Sequence, residues 1–279
     1  MSDANEGRDS LPPILRGKDA VARSVFTPEN LLREARRQKG LAIGTVPDVC
    51  ILDPDGDMVR HLRATERARR NLEWACYHTE LHTFEHEGLS YGIVGCAVGA
   101  AFAVLVAEEL FASGCKLLVS MTSAGQILPI QAPPYFIVIE RALRDEGTSY
   151  HYLAPADYST ADETLLRLCE EALAIAGVAV QVGATWTTDA PFRETAHAID
   201  NAKKAGMLAV EMEAAALYAF AGARKKPVLC IAHVTNQMGR IEGDFEKGVA
   251  DGAEKSLKLI AAIARAYERQ RTSLKPESL

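Results

Sequence analysis

The chain lacks any excess of basic charge: 31 Lys and Arg stand against 37 Asp and Glu, for a net charge of −6 at pH 7. That excludes the electrostatic footprint of a nucleic-acid binder and leaves no polybasic patch for an anionic membrane. The six cysteines (Cys50, Cys76, Cys96, Cys115, Cys169 and Cys230) form no C-x-x-C pair and no cluster with histidine. This argues against a zinc site or a disulfide framework and fits a reducing cytoplasm. No apolar run reaches bilayer thickness; the longest, Gly92 to Ala107, is broken by glycine. Met1 to Asp9 is polar and acidic, without the apolar core of a signal peptide. No internal repeat or low-complexity linker divides the chain. What remains is a cytoplasmic protein acting on a small molecule, with no nucleic-acid or membrane partner, no metal and no cofactor.

Apolar residues make up 48% of the 279 positions, enough for a sizeable core in one α/β domain. An N-terminal arm, 1–45, carries a short helix at Pro28 to Gln38 that Thr27 caps. A single domain, 46–270, follows, and 271–279 form a polar tail. Within the domain Val46 to Leu52 reads as a buried strand ending in the turn Asp53-Pro54-Asp55-Gly56-Asp57. A polar helix is expected over Met58 to Trp74, and a hairpin at Thr79 to Glu85 and Leu89 to Gly95 around Glu87-Gly88. A glycine-bounded turn, Gly95 to Gly99, opens an apolar helix at Ala100 to Phe111 and can present backbone N–H groups to an anion. Strands at Cys115 to Met121, Phe136 to Ile139, Ala179 to Gly183 and Val228 to Thr235 alternate with helices at Thr164 to Ala176 and Phe245 to Arg269. This alternation predicts a largely parallel α/β sheet.

The densest chemistry lies in Gly206 to Tyr218, where Glu211 and Glu213 sit in an apolar run with Met212 and three alanines. A carboxylate that leaves water must be paired, hydrogen-bonded or protonated. In a regular helix the two would point about 200° apart, so only one would face a pocket. The solvated face of an amphipathic helix is the alternative. Thr122-Ser123-Ala124-Gly125-Gln126, directly after a strand, suits an oxygen-rich ligand or is a hydroxyl-rich turn. Arg144 to Tyr152 is dense in polar and aromatic groups, and Thr185 to Thr195 sets aromatic faces beside bidentate hydrogen-bonding groups, as base stacking and readout require. His233 reads as a core histidine. His78, His82 and His86 would suggest a metal site on a helix, but the strand expected there spreads them apart.

Taken in order, Thr122-Ser-Ala-Gly-Gln, Arg144 to Tyr152, Thr188-Asp-Ala-Pro-Phe and Glu211-Met-Glu-Ala-Ala resemble the nucleoside phosphorylase superfamily, chiefly its uridine-phosphorylase-like branch, from about residue 46 to 268. The resemblance implies a three-layer α/β/α fold with a central mixed sheet and a homo-oligomer, dimer or hexamer. It implies cleavage of a ribonucleoside's N-glycosidic bond. Met212 would pack on the sugar and Glu213 would accept from its hydroxyls; His151 would reach its 5′ side or is a surface histidine beside tyrosines. Thr122, Ser123 and Ala124 would face the attacking phosphate or water. Asp189, Phe192, Arg193 and Gln237 would bind the base, with Phe192 one residue later than the usual aromatic.

The chain also departs from that family. The phosphate-binding arginines expected near Gly56, near Val119 or Ser120 and near Tyr77 are not found at those places, although Arg67, Arg69 and Arg70 are close to the last. Without cations a dianion loses its charge-assisted hydrogen bonds. Water needs no such cradle, and Asp55 or Asp57 would orient it in a hydrolase. Family membership tips the expectation to phosphate as co-substrate. Asn236 stands where purine-cleaving relatives carry an Asp, and an amide donates but is no general acid. Donors at Asn236, Gln237 and Arg193 would instead stabilise charge on pyrimidine carbonyls, which favours a pyrimidine base. A non-catalytic nucleoside-binding relative is the alternative of another class.

Overall fold

The computed structural model of the chain describes residues 12–238 and 245–273. The first eleven residues of the expected arm, Gly239 and residues 274–279 of the expected tail lie outside these. Helix α1, Pro28–Lys39, starts as its sequence dictates: Thr27 accepts from the Asn30 N–H, and Pro28 sits where no amide donor is needed. Gly40, left-handed at φ 64, ends it.

The domain then runs β1 Val49–Asp53, α2 Asp57–Ala64, β2 Ala68–Arg70, β3 His82–His86, β4 Leu89–Gly95, α3 Ala100–Ala112 and β5 Leu117–Gln126. It continues with β6 Tyr135–Asp145, β7 Tyr158–Thr160, α4 Glu163–Ile175, β8 Gln181–Thr188, α5 Ala196–Lys204, β9 Ala209–Glu211, α6 Ala214–Arg224, β10 Val228–Gln237 and α7 Ala253–Ser273. The strands make one mixed 10-stranded sheet in the order β10-β6-β8-β9-β5-β1-β4-β3-β2, with β7 on β6. Because β10 also pairs with β5, the strands β5, β10, β6, β8 and β9 close on themselves.

Period-two burial makes the layers. In β1, Cys50 and Leu52 face a cluster that includes α3 and α6, whereas Val49 and Ile51 face one that includes α2, α4 and α7. In β10, Cys230, Ala232 and Val234 take the first side and Leu229 and Ile231 the second. Both faces are covered, so these strands read as continuous apolar runs. The result is the expected three-layer α/β/α fold with a central mixed sheet.

Local backbone chemistry explains where the elements differ from their sequence signals. The helix expected over Met58 to Trp74 stops at Ala64; Glu66 turns left-handed at φ 56, and Ala68–Arg70 pair with β3 instead. Glu87 and Gly88, at φ 48 and 81, form the hairpin turn between β3 and β4, where both central residues need positive φ. The strand expected at Phe136 to Ile139 is the first half of β6, whose edges are taken in turn by β10, β8 and β7. Thr185 to Thr188, expected in a loop, end β8. The last helix starts at Ala253, not Phe245, and runs through Ser273, so residues 271–273 of the expected tail are helical.

Candidate functional site at the strand ends

The segment around Glu211 and Glu213 is not the helix on which their separation was first argued. It is a strand, β9, that turns at Met212 into α6. β9 runs antiparallel to β5 with Val210 opposite Gly125 and Ala209 opposite Gln126. Continuing that register sets Glu213 opposite Thr122. The Thr122 hydroxyl donates to Glu213 Oε2 at 2.7 Å, and the Gly99 N–H donates to Oε1 at 2.7 Å. Gly99 is left-handed at φ 90 with open space where a Cβ would stand, so the backbone comes close to the carboxylate and leaves room beside it. The N–H groups expected to meet an anion at this turn thus include one that meets an internal carboxylate.

Glu213 is 1% exposed. Burial first, then the charge of Glu211, pushes its pKa up from 4.5 to about 7, against the two hydrogen bonds. Asp55 adds to the rise, so it lies within electrostatic reach. Each carboxylate oxygen has two lone pairs, and the two internal donors leave capacity for hydroxyls of a ligand. Glu211 has a different situation. It accepts from the Thr185 and Thr187 hydroxyls and from the Glu213 and Ala214 N–H groups, the last two at 2.7 Å. It therefore caps α6 from the strand end and is saturated by its own chain.

The turn after β1 supplies charge. Asp53, 2% exposed, accepts from the Val59 N–H at 2.9 Å, and burial raises its pKa to about 7. Asp57 pairs with Arg60, and Lys247 Nζ reaches Asp57 at 2.5 Å and Asp55 at 3.3 Å. No arginine stands at Gly56, but Arg60 lies close to it in space. Gly56 caps α2, and one helical turn brings Arg60 back over it, its Nη1 2.8 Å from where a Gly56 Cβ would stand. Arg60 and Lys247 are the cations at this turn, and linear reading named neither. The i, i+4 spacing of Gly56 and Arg60 was the available signal; nothing in the sequence places Lys247.

Residues 48–267 match the family model of the phosphorylase superfamily. The chain belongs to the phosphorylase superfamily. It is 28% identical to uridine phosphorylase of Thermococcus kodakarensis over 247 residues, 81% of this chain and 87% of that one. It is 25% identical to guanosine phosphorylase of Halorubrum lacusprofundi over 215 residues, covering 76% and 84% of the two chains. In fold it is similar to the 5′-methylthioadenosine/S-adenosyl homocysteine nucleosidase of Campylobacter jejuni, with a TM-score of 0.65 at 16% identity over 78% of this chain and 98% of that one. Uridine phosphorylase of Vibrio fischeri gives 0.61 at 22% identity, over 80% and 88%.

In this member of the superfamily, Thr122, midway along β5, meets Glu213, which with Met212 follows the end of β9. Ser123 bonds the Thr235 hydroxyl at 3.1 Å, and Ala124 is buried beside it. Asn236 and Gln237, half-buried, end β10 next to β5, with Asn236 opposite Gly125 and Gln237 opposite Gln126. The loop expected to bind the base is open: Phe192 is 98% exposed, Arg193 is exposed, and Asp189 accepts from the Gly147 N–H at 2.8 Å. Glu194, half-buried beside them, is pushed up to about 7 by burial alone.

His151 is placed elsewhere. It accepts from Lys18 at 3.0 Å and lines a cavity of about 700 Å³ with Tyr152 and Arg224. Arg224 ends α6, roughly 15 Å of helix rise from Glu213. His151 therefore sits by the C-terminal end of α6, whereas Glu213 precedes its first turn. His233 is a core residue, stacked on Phe136 at 4.7 Å, with burial lowering its pKa to about 4. Among the described residues no group of three or more His, Cys, Asp or Glu side chains is arranged to hold a metal ion, and no helix is long and apolar enough to cross a membrane.

Proposed function

We propose that the protein cleaves the N-glycosidic bond of a ribonucleoside, with a pyrimidine base preferred, and transfers the sugar to phosphate. The observation that carries this reading is Glu213: a dry carboxylate held by Thr122 and Gly99, beside Met212, with lone pairs left for the ribose hydroxyls. As the bond to the base breaks, its electron pair leaves with the base and positive charge grows on the sugar. A fixed carboxylate next to that sugar stabilises the charge without reorganisation.

The acceptor arrives from the side of Thr122, Ser123 and Ala124. Arg60 and Lys247 at the neighbouring turn support phosphate over water, because they restore the charge-assisted donors that the missing arginines would have provided. Asn236 and Gln237 are amide donors suited to negative charge on pyrimidine carbonyls, and the Thermococcus kodakarensis relative is named for uridine. The same turn's Asp55 and Asp57 favour a second reading, a hydrolase whose water one of them orients. The working form in this proposal is a cytoplasmic homo-oligomer, dimer or hexamer, without cofactor.

The test is base release from a panel of pyrimidine and purine nucleosides, with and without phosphate. Release that requires phosphate supports the proposal, and release that ignores phosphate replaces it with the hydrolase. Tight nucleoside binding in calorimetry without turnover under either condition would make the protein a non-catalytic binder.

A further inference from the structure

The chain returns to the end of β10 after residue 244. Phe245 bridges Asn236 in antiparallel fashion, and the Glu246 N–H donates to the Thr235 carbonyl at 2.7 Å. From this position the Lys247 side chain reaches Asp55 and Asp57, which follow β1. In the sheet β5 lies between β10 and β1, paired to both. The lysine therefore reaches from the end of β10 to the turn after β1, on either side of the second half of β5 that carries Thr122, Ser123 and Ala124.

An ordinary half-exposed ion pair contributes little to stability. This one is delivered by a costly backbone: Gly248 and Gly252 are left-handed, and so are Ala250 and Asp251, where a Cβ makes that conformation unfavourable. Glu246 braces the turn by accepting from the Gly248 N–H at 2.8 Å. Lys247 has three N–H donors and spends two of them on Asp55 and Asp57. Arg60 shares Asp57 from the other side. Two cations thus converge on one partly buried turn, each held by a carboxylate.

We propose that Lys247 is a ligand of the phosphate acceptor: its ammonium, with Arg60, takes the oxyanion at the turn after β1, beside the second half of β5, and Asp55 and Asp57 occupy the two cations while the site is empty. The inference rests on the phosphorolysis reading above. It adds a binding residue contributed by the segment between β10 and α7.

The test compares wild type with Lys247→Ala and Lys247→Arg in steady-state kinetics with phosphate and nucleoside varied separately, alongside calorimetric titration of inorganic phosphate without nucleoside. Lys247→Ala is expected to raise the KM for phosphate about tenfold or more, in keeping with the loss of one charge-assisted contact. The KM for nucleoside should stay within about twofold, and Lys247→Arg should recover most of the phosphate affinity. An unchanged phosphate KM in Lys247→Ala overturns the inference, as does an equal rise in both KM values with a lowered Tm, which marks a structural ion pair. Phosphate-independent base release by the wild type is a separate result: it removes the phosphorolysis reading and Lys247's acceptor with it.

Discussion

The two ends of the site are built on opposite principles. At the proposed ribose end Glu213 is 1% exposed, has no cation among its hydrogen-bond partners, and is held by one hydroxyl and one backbone N–H. At the proposed acceptor end Asp55, Asp57, Arg60 and Lys247 neutralise one another, and the Arg60 side chain is 58% exposed. A fixed dry carboxylate suits neutral hydroxyls that must be held in one orientation. A set of cations held by replaceable partners suits a charged acceptor that must enter and leave.

The sharpest way to break this comparison is Glu213→Gln. Losing charge-assisted acceptance of sugar hydroxyls should cut kcat/KM by roughly a hundredfold or more, while the Tm changes little because the amide oxygen still accepts from Thr122 or Gly99. Glu211→Ala should do the reverse. It strands two hydroxyls and two N–H groups, so urea denaturation should show a loss of about 3 kcal/mol or more, with activity per folded molecule largely kept. If both substitutions cost mainly stability, the division of labour between the two acids is wrong.

At the acceptor end, Arg60→Ala should raise the phosphate KM several-fold and leave the Tm nearly unchanged, since an exposed pair is worth only about 0–1 kcal/mol. The smallest effect is expected below that turn. Asp53 keeps its proton in the folded state up to about pH 7, whereas the unfolded chain loses it near 3.8. Folded stability from this group therefore falls as pH rises through that window. Asp53→Asn should gain on wild type in denaturation midpoints between pH 4 and 7, with the difference flat above; an unchanging difference over the whole range contradicts an elevated Asp53.

The fold was legible because both sheet faces are covered, which turns strands such as Val228 to Ala232 into unbroken apolar runs, and because Thr27-Pro28 and Glu87-Gly88 carry explicit cap and turn chemistry. The end of the long helix was not legible, since Glu66 ends it in a conformation no residue type announces. Glu213 and Thr122 could be named from the order of segments, but their contact depends on the β5–β9 register. Glu211 was read on helical geometry when it stands at a strand end, which is why its capping role appeared only in three dimensions. Lys247 lies 190 residues from Asp57 in sequence, and only the return of the chain along β10 joins them. His151 shows the converse: a polar segment rich in aromatic groups was real, but it packs by the far end of α6.

The most direct test of the account is ³¹P NMR of the wild-type enzyme turning over a pyrimidine ribonucleoside in the presence of phosphate. A sugar-phosphate resonance that grows in step with free base is the predicted result. Free base accumulating while inorganic phosphate remains the only resonance would contradict it.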